Sequence, residues 1–429
     1  MWAILTYRVV VLMGLLCLLP VDAWPDDGQT LTLTDAVERA LASNPVLNLS
    51  VHERRVEEGR VRQAGIRPRV GLDLEVENFL GSGLYDGLGR SETTLSLIWV
   101  LERGKRQYRL TAAQAAVDAT DVTAELRRLE VAADTADAFL DVLKDQERLL
   151  LAQEAVRLGA QARAVVAERT RVGRSSAIDL ARAEADLAWR RLAEEDVSHE
   201  LLVSRRTLAS RWGAEATDFS AVTGNLEAHP VLDSYAALLS RVAASPGINQ
   251  YLTRGRVRRA QLALAEAESK QDWLLSTGAR YLGTTDDMAF VASVTLPIGR
   301  ANPNLGRIES ARAEADLADA ELVARRVEIE TALYRLHQEL THNLHRAAAI
   351  RSEVIPLLET VVVDAGAAYA AGRFSYYELR QAQLALLEAR RAYLEENYLG
   401  QLNRIAIERL TGSAVGPTPP SAEVNEENS

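Results

Sequence analysis

Apolar residues change their spacing several times along this chain, and each change marks a predicted element. In "RVGLDLEVENF", Val70, Leu72, Leu74 and Val76 alternate with Gly71, Asp73, Glu75 and Glu77. A period of two belongs to a strand with one apolar and one polar face. The four glycines of "LGSGLYDGLGRSE" signal a loop. "TTLSLIWVLERG" then returns with Leu95, Leu97, Trp99 and Leu101 on one face, which completes an antiparallel hairpin. Upstream, "TLTDAVERALASNP" predicts a helix capped by Thr34, with Asp35 and Glu38 in its first turn. A second helix of about 20 residues follows the proline, to Gly65. Downstream, from about Lys105 to about Glu168, there is no proline and helix formers prevail. At 1.5 Å per residue that stretch is a rod of roughly 100 Å. A turn at Gly173 sends back a helix of about 40 residues that ends near Gly213.

The same plan then recurs. "RVGRSSAIDLARAEADLAWRRLAEED" from Arg171 and "AAGRFSYYELRQAQLALLEARRAYLEE" from Ala370 both read as a Gly-Arg turn, a serine, an acidic residue and an Ala-, Leu- and Arg-rich helix. Gly173 and Gly372 stand 199 positions apart, as do Arg174 and Arg373, Ser176 and Ser375, Asp179 and Glu378, and Gly213 and Gly412. "RLTAAQAAVDATD" from Arg109 matches "RIESARAEADLAD" from Arg307, and "ALASNP" resembles "VAASP". Three blocks in one order at nearly one spacing predict two units, residues 24–213 and 235–412, joined by a linker at 214–234. In the second unit a helix is expected over about 235–272, strands in "WLLSTGARYLG" and "MAFVASVTLPIG", a long helix from Arg307 to Tyr369, and a last helix to Gly412. The Pro- and charge-rich residues 413–429 read as a disordered tail.

Composition narrows the class. The 429 residues carry a formal charge of −11 and no dense basic stripe, which argues against a nucleic-acid partner. Arg8, the apolar run "VVVLMGLLCLLP" and "VDA" form the three parts of a secretory signal, predicting cleavage after Ala23. Cys17 is the one cysteine, so the mature chain is expected to contain neither a disulfide nor a thiolate metal site. No later stretch offers the ~18 uncharged apolar residues of a membrane-spanning helix. Each unit supplies two strands. Four strands cannot close a barrel, and lipid does not tolerate open edges, so the strands are expected to join those of neighbouring copies. Three copies supply twelve. In such a barrel Leu72, Leu74 and Val76 face lipid while Asp73, Glu75 and Glu77 line water.

These residues resemble those of the TolC-type outer-membrane efflux channels, especially the metal-efflux (CzcC-like) branch. The likeness lies in the order and duplication of "LTLTDAVERALASNP", "RLTAAQAA" with "RIESARAEA", and the two G-R-x-S turns. It implies a mainly α fold with a small β part: a trimer with a long periplasmic α-helical barrel under a twelve-stranded outer-membrane β-barrel. It further implies a passive exit duct for metal cations or small molecules, gripped at its tips by a periplasmic adaptor and driven by an inner-membrane pump, with no cofactor and no catalysis. The adaptor-contact motif falls on Val172, Gly173, Arg174, Ser175 and Ser176, and on Gly372, Arg373, Phe374 and Ser375. The entrance constriction falls on Tyr369 and Glu378, with Gln381 where the family has a second acidic residue, and with Asp179 and Asp364 beside them.

Rival readings find less support. In "HELLV", Val203 stands where a zinc-protease helix needs its second histidine. The glycine loop fits neither the dinucleotide nor the phosphate-loop spacing. Of His337, His342 and His345, only the last two are spaced to face one another on a helix. A periplasmic adaptor has one helical hairpin between halves of a lipoyl-like β-domain, whereas this chain has two hairpins. A purely structural coiled coil has no use for alternating strands in both units.

Overall fold

The computed structural model describes residues 30–229, 233–299 and 302–413. The signal predicted at 1–23 and nearly all of the predicted tail lie outside them.

Strand β1 (Thr30–Thr32) leads into α1 (Leu33–Ser43) and α2 (Pro45–Ala64). The cap of α1 is Thr32 and not Thr34. Thr32 Oγ1 accepts from the Asp35 N–H, and the Asp35 carboxylate accepts from the Thr32 N–H, so a reciprocal box sets the start two residues early. The first hairpin is β2 (Gly71–Glu77) and β3 (Glu92–Leu101). Then come α3 (Lys105–Arg171), 67 residues and about 100 Å without a break, and α4 (Ala177–Ser210). A short strand, β4 (Ala221–Thr223), sits inside the stretch read as a linker and pairs in parallel with β1.

The order of elements is then repeated with breaks. The helix expected over 235–272 is two, α5 (Tyr235–Ala243) and α6 (Pro246–Glu268), because Ser245 caps a new helix with Pro246 in its first turn. Strands β5 (Trp273–Leu282) and β6 (Asp287–Thr295) follow. The expected single long helix is α7 (Leu305–Ala349), a wide π turn at Ile350–Val354, and α8 (Ile355–Ala370). Pro356 lies just after the π turn and has no N–H for the helical ladder. Helix α9 (Tyr376–Thr411) ends at Gly412, whose φ of +72° suits the left-handed stop.

The four long strands make one antiparallel sheet in the order β2-β3-β5-β6. The helices form a layer below it. In the half near the sheet, α2 packs on α3, α3 on α6 and α6 on α7. In the half near the tips, α4 packs on α3, α3 on α9 and α9 on α8. Between the halves, Phe139, Leu143, Leu208 and Ile405 close a core with Leu31, Val37 and Val222 from β1, α1 and β4. A second core joins Leu238 and Ile248 to Leu333, Leu340 and Ile407. Among the described residues no helix is long and apolar enough to cross a membrane.

Candidate functional site: the helix tips and the inverted sheet

At the far end from the sheet, both hairpins turn by the same backbone device. Gly173 has φ +71° and Gly372 has φ +78°, a left-handed value that glycine adopts without strain. The Arg174 N–H donates to the Arg169 carbonyl at 2.7 Å, and the Arg373 N–H to the Ala368 carbonyl at 2.9 Å. These are the long bonds of a Schellman-type stop. The returning helices start alike. Ser176 Oγ accepts from the Asp179 N–H at 3.0 Å, and Ser375 Oγ from the Glu378 N–H at 3.4 Å.

The predicted tip residues therefore divide by role. Gly173, Gly372, Ser176 and Ser375 make the turns and caps, while Val172, Arg174, Arg373 and Phe374 are exposed and Ser175 is half-buried. Ser175 Oγ donates to the Asp179 carboxylate at 3.2 Å. Of the predicted constriction, Glu378 is exposed but engaged, because its carboxylate accepts from the Ser375 N–H at 2.7 Å in a reciprocal cap. Gln381 and Asp364 are exposed. Tyr369 lies in the core between the hairpins, 3 % exposed, with Ala162, Val166, Ala365 and Tyr376.

Residues that sequence reasoning passed over join the two hairpins. Arg169, at the end of α3, donates to the carbonyls of Tyr369 and Ala370, which end α8, and to that of Arg174. Its guanidinium lies 4.7 Å from the centre of the Tyr369 ring. One cation thus satisfies orphan carbonyls and favours the negative end of α8. Higher up, Asp186 and Arg190, each 8 % exposed, form a buried pair at 2.8 Å. Arg380 from α9 reaches the other Asp186 oxygen at 2.9 Å, and Arg190 also donates to the Ala155 carbonyl at 2.9 Å. Burial, with the Asp186 charge beside it, pushes the Tyr376 hydroxyl up to about 12. The signal for both clusters was a break in the repeat: 199 positions from Arg169, Asp186 and Arg190 stand Ala368, Ala385 and Ala389.

The sheet at the other end is inside out for a protein in water. Thr94 and Ser96 are 5 % and 8 % exposed, whereas Leu95 and Leu97 on the opposite face of β3 are 49 % and 41 % exposed. Register puts Leu72 beside Leu97, Leu74 beside Leu95, and Ala279 beside both Leu95 and Phe290, so one continuous face is apolar. Phe290 is 95 % exposed on it. Trp273 and Tyr281 stand on this face at opposite ends of β5, eight residues or about 27 Å apart along the strand. At a barrel tilt of ~40° that span approaches the ~25 Å apolar band with aromatic girdles of outer-membrane barrels. The other face carries Asp73, Glu75, Glu77, Glu92 and Asp287, with Arg280 bonded to Glu77 and Glu92. Strands β2 and β6 are the sheet's two open edges.

Residues 36–214 match the family described as outer membrane efflux protein. The cobalt-zinc-cadmium resistance protein CzcC of Cupriavidus metallidurans is 28% identical over 386 residues, 89% of this chain and 90% of that protein. Among solved structures, the outer membrane protein VceC of Vibrio cholerae superposes with a TM-score of 0.70 at 19% identity, covering 89% of this chain and 96% of that one. The outer membrane channel CmeC of Campylobacter jejuni does so with 0.69 at 16% identity, covering 89% and 85%. Over most of its length the chain is thus similar to outer-membrane efflux proteins, and its fold is that of the solved outer-membrane channels.

Proposed function

We propose that three copies of this chain form the outer-membrane exit duct of a tripartite efflux system, and that its cargo is divalent metal cations. The inverted sheet carries the reading. An apolar outer face of membrane height, a polar inner face and two unsatisfied edges describe one third of a closed barrel, and closure is what lipid demands of backbone groups. The ~100 Å helices continue the barrel as a tunnel wall on the periplasmic side. The cargo rests on the likeness to CzcC and on the inner face, where five carboxylates per chain meet one arginine, a charge balance that favours cations.

The tips are the seats for the periplasmic adaptor. Two alike turns per chain, each exposing an arginine after the glycine, make six seats in a trimer. Transport is passive: the adaptor and the inner-membrane pump bias the entrance open through contacts stronger in the open state than in the closed one. Tyr369, Glu378, Gln381, Asp179 and Asp364 are assigned to the constricted entrance region by their places near the tips.

Fractionation of envelopes in mild detergent tests the duct: a particle of three chain masses in the outer membrane is expected, and a soluble monomer refutes it. Growth of deletion and complemented cells on cobalt, zinc and cadmium tests the cargo. Equal growth on all three removes the metal assignment and leaves the duct standing.

A further inference from the structure

The lower helical layer runs α4, α3, α9, α8, so α4 and α8 are its two edges. Each edge carries an exposed stripe at three- and four-residue spacing. On α4 it is Ile178, Arg182, Trp189 and Leu192, with Trp189 72 % exposed. On the opposite edge it is Val354, Leu357, Val361 and Asp364, with Leu357 68 % exposed. Such stripes are the seams of antiparallel helix pairs, and neither has a partner within the chain.

We infer that these stripes bind each other between copies, α4 of one protomer lying antiparallel on α8 of the next, with Arg182 paired to Asp364 and Trp189 seated against Leu357 and Val361. The inference rests on the trimeric reading and adds the residues of its lower seam. Two observations select a second copy as the occupant. The first is height. The tips of one chain are level, because Arg169 bonds the end of α3 to the end of α8. From the start of α4, Arg182 rises about 8 Å and Trp189 about 18 Å; from the end of α8, Asp364 rises about 9 Å and Leu357 about 20 Å. A rotation about an axis along the helices preserves height, so the residues meet in register. The second is charge. Arg182 and Arg191 on the α4 edge make no ion pair among the described residues, and neither do Glu353 and Asp364 on the α8 edge. At and below its tryptophan the α4 edge is cationic, with the acids Glu195 and Asp196, unpaired among the described residues, higher up, and the other edge is anionic around its aliphatic row. Within the entrance region this gives Asp364 a place in the wall between protomers.

The test is a disulfide across the seam. In a chain with Cys17→Ser, Trp189→Cys and Leu357→Cys are combined, and envelopes are oxidised and run without reductant. Covalent dimer and trimer that collapse on reduction are expected. Within one chain the two sites lie on opposite edges with α3 and α9 between them, so an intrachain bridge is not expected. A native trimer that yields only monomer on the gel overturns the inference and leaves the duct intact. A bridge to a species that is not a multiple of the chain also overturns it, since it assigns the stripe to another protein. Absence of any trimer overturns the seam and the duct together. Charge reversal gives a readout free of cysteine chemistry. Arg182→Glu is expected to lose the trimer at a temperature where the parent keeps it, and Arg182→Glu with Asp364→Arg to regain it. Loss without rescue, or no loss, refutes the pair.

Discussion

The two hairpins of each chain share a backbone and differ in what their side chains do. Turn glycines, capping serines and the long bonds across each turn correspond at a spacing of 199 residues. Yet the first hairpin descends from an unbroken α3, while the second descends through a π turn and Pro356. The first also supplies the charges that bind it to the second: Arg169, Asp186 and Arg190 have alanines at their counterparts. Repetition supplies two turns of one shape. Divergence uses the same positions to bolt one hairpin, held straight, to another that is interrupted some 25 Å above its tip.

The largest way to break this arrangement is at Asp186. It holds buried Arg190 on one oxygen and Arg380 on the other, so Asp186→Ala leaves a guanidinium uncompensated in the interior. Removing one partner of a buried pair costs about 3–5 kcal/mol, read as a fall in the thermal midpoint of helix loss in detergent. The corresponding change of Ala385 to Gly is expected to cost no more than ~1 kcal/mol of helix propensity. Gly159→Ala comes next. An added Cβ lies 2.8 Å from Arg190 Cδ, and Arg190 is anchored by Asp186 and the Ala155 carbonyl, so it cannot retreat. Helix propensity favours alanine by ~1 kcal/mol, but overpacking of 1–3 kcal/mol exceeds it. A net loss of about 1 kcal/mol is expected in the same melt, and a gain refutes the close packing.

Arg169 tests the bolt at the tips. Arg169→Ala leaves the Tyr369 and Ala370 carbonyls without their cation and uncovers the Tyr369 ring. The local cost is about 1–3 kcal/mol, seen as faster amide exchange over residues 369–375. Exchange over 172–176 is expected to change less, since the first turn keeps its own backbone bonds apart from one accepted at Arg174. Arg169→Lys is expected to restore little, because an ammonium cannot span several carbonyls and stack on a ring at once.

Much of the architecture was legible because it depends on local pattern. Period-two apolar residues fall in β2 and β3, and the run without proline is α3. Glycines at 173, 213, 372 and 412 all have positive φ. What was missed depends on neighbours or on single residues. The pairing of β1 with β4 spans three residues a side, too few to leave a pattern, and is stabilised by the core around Phe139. Ser245-Pro246 carries the cap and first-turn proline of a new helix inside the single one expected over 235–272. A π turn inserts one residue into the ladder and leaves composition unchanged. The candidate site was half visible: motifs located the tips, but whether Tyr369 faces water or core depends on Arg169, which is 200 positions away.

The smallest effect expected separates the two long helices above the hairpins. At the 198-residue spacing of the Arg109 and Arg307 blocks, Asp137 on α3 corresponds to Arg335 on α7, which is exposed and paired with Glu339. Asp137 instead has a buried carboxylate oxygen without a partner. Burial pushes its carboxyl up to about 6, reinforced by Asp134 and Asp141 and opposed by Arg409 and Arg211. The folded chain therefore holds this proton more tightly than the unfolded chain, whose carboxyl titrates near ~3.9. Stability falls as pH rises from about 4 to about 6, and the deficit persists above that. Because the group is partly open to solvent, the deficit is about 1 kcal/mol after screening. Asp137→Asn is accordingly expected to raise the melting midpoint at pH 7 and to leave it unchanged at pH 4. An equal rise at both values assigns the gain to packing. A fall at pH 7 means that the charge is held by Arg409 and Arg211, and that the first long helix uses this position for an ion pair at a half-buried carboxylate where the second carries the exposed Arg335–Glu339 pair.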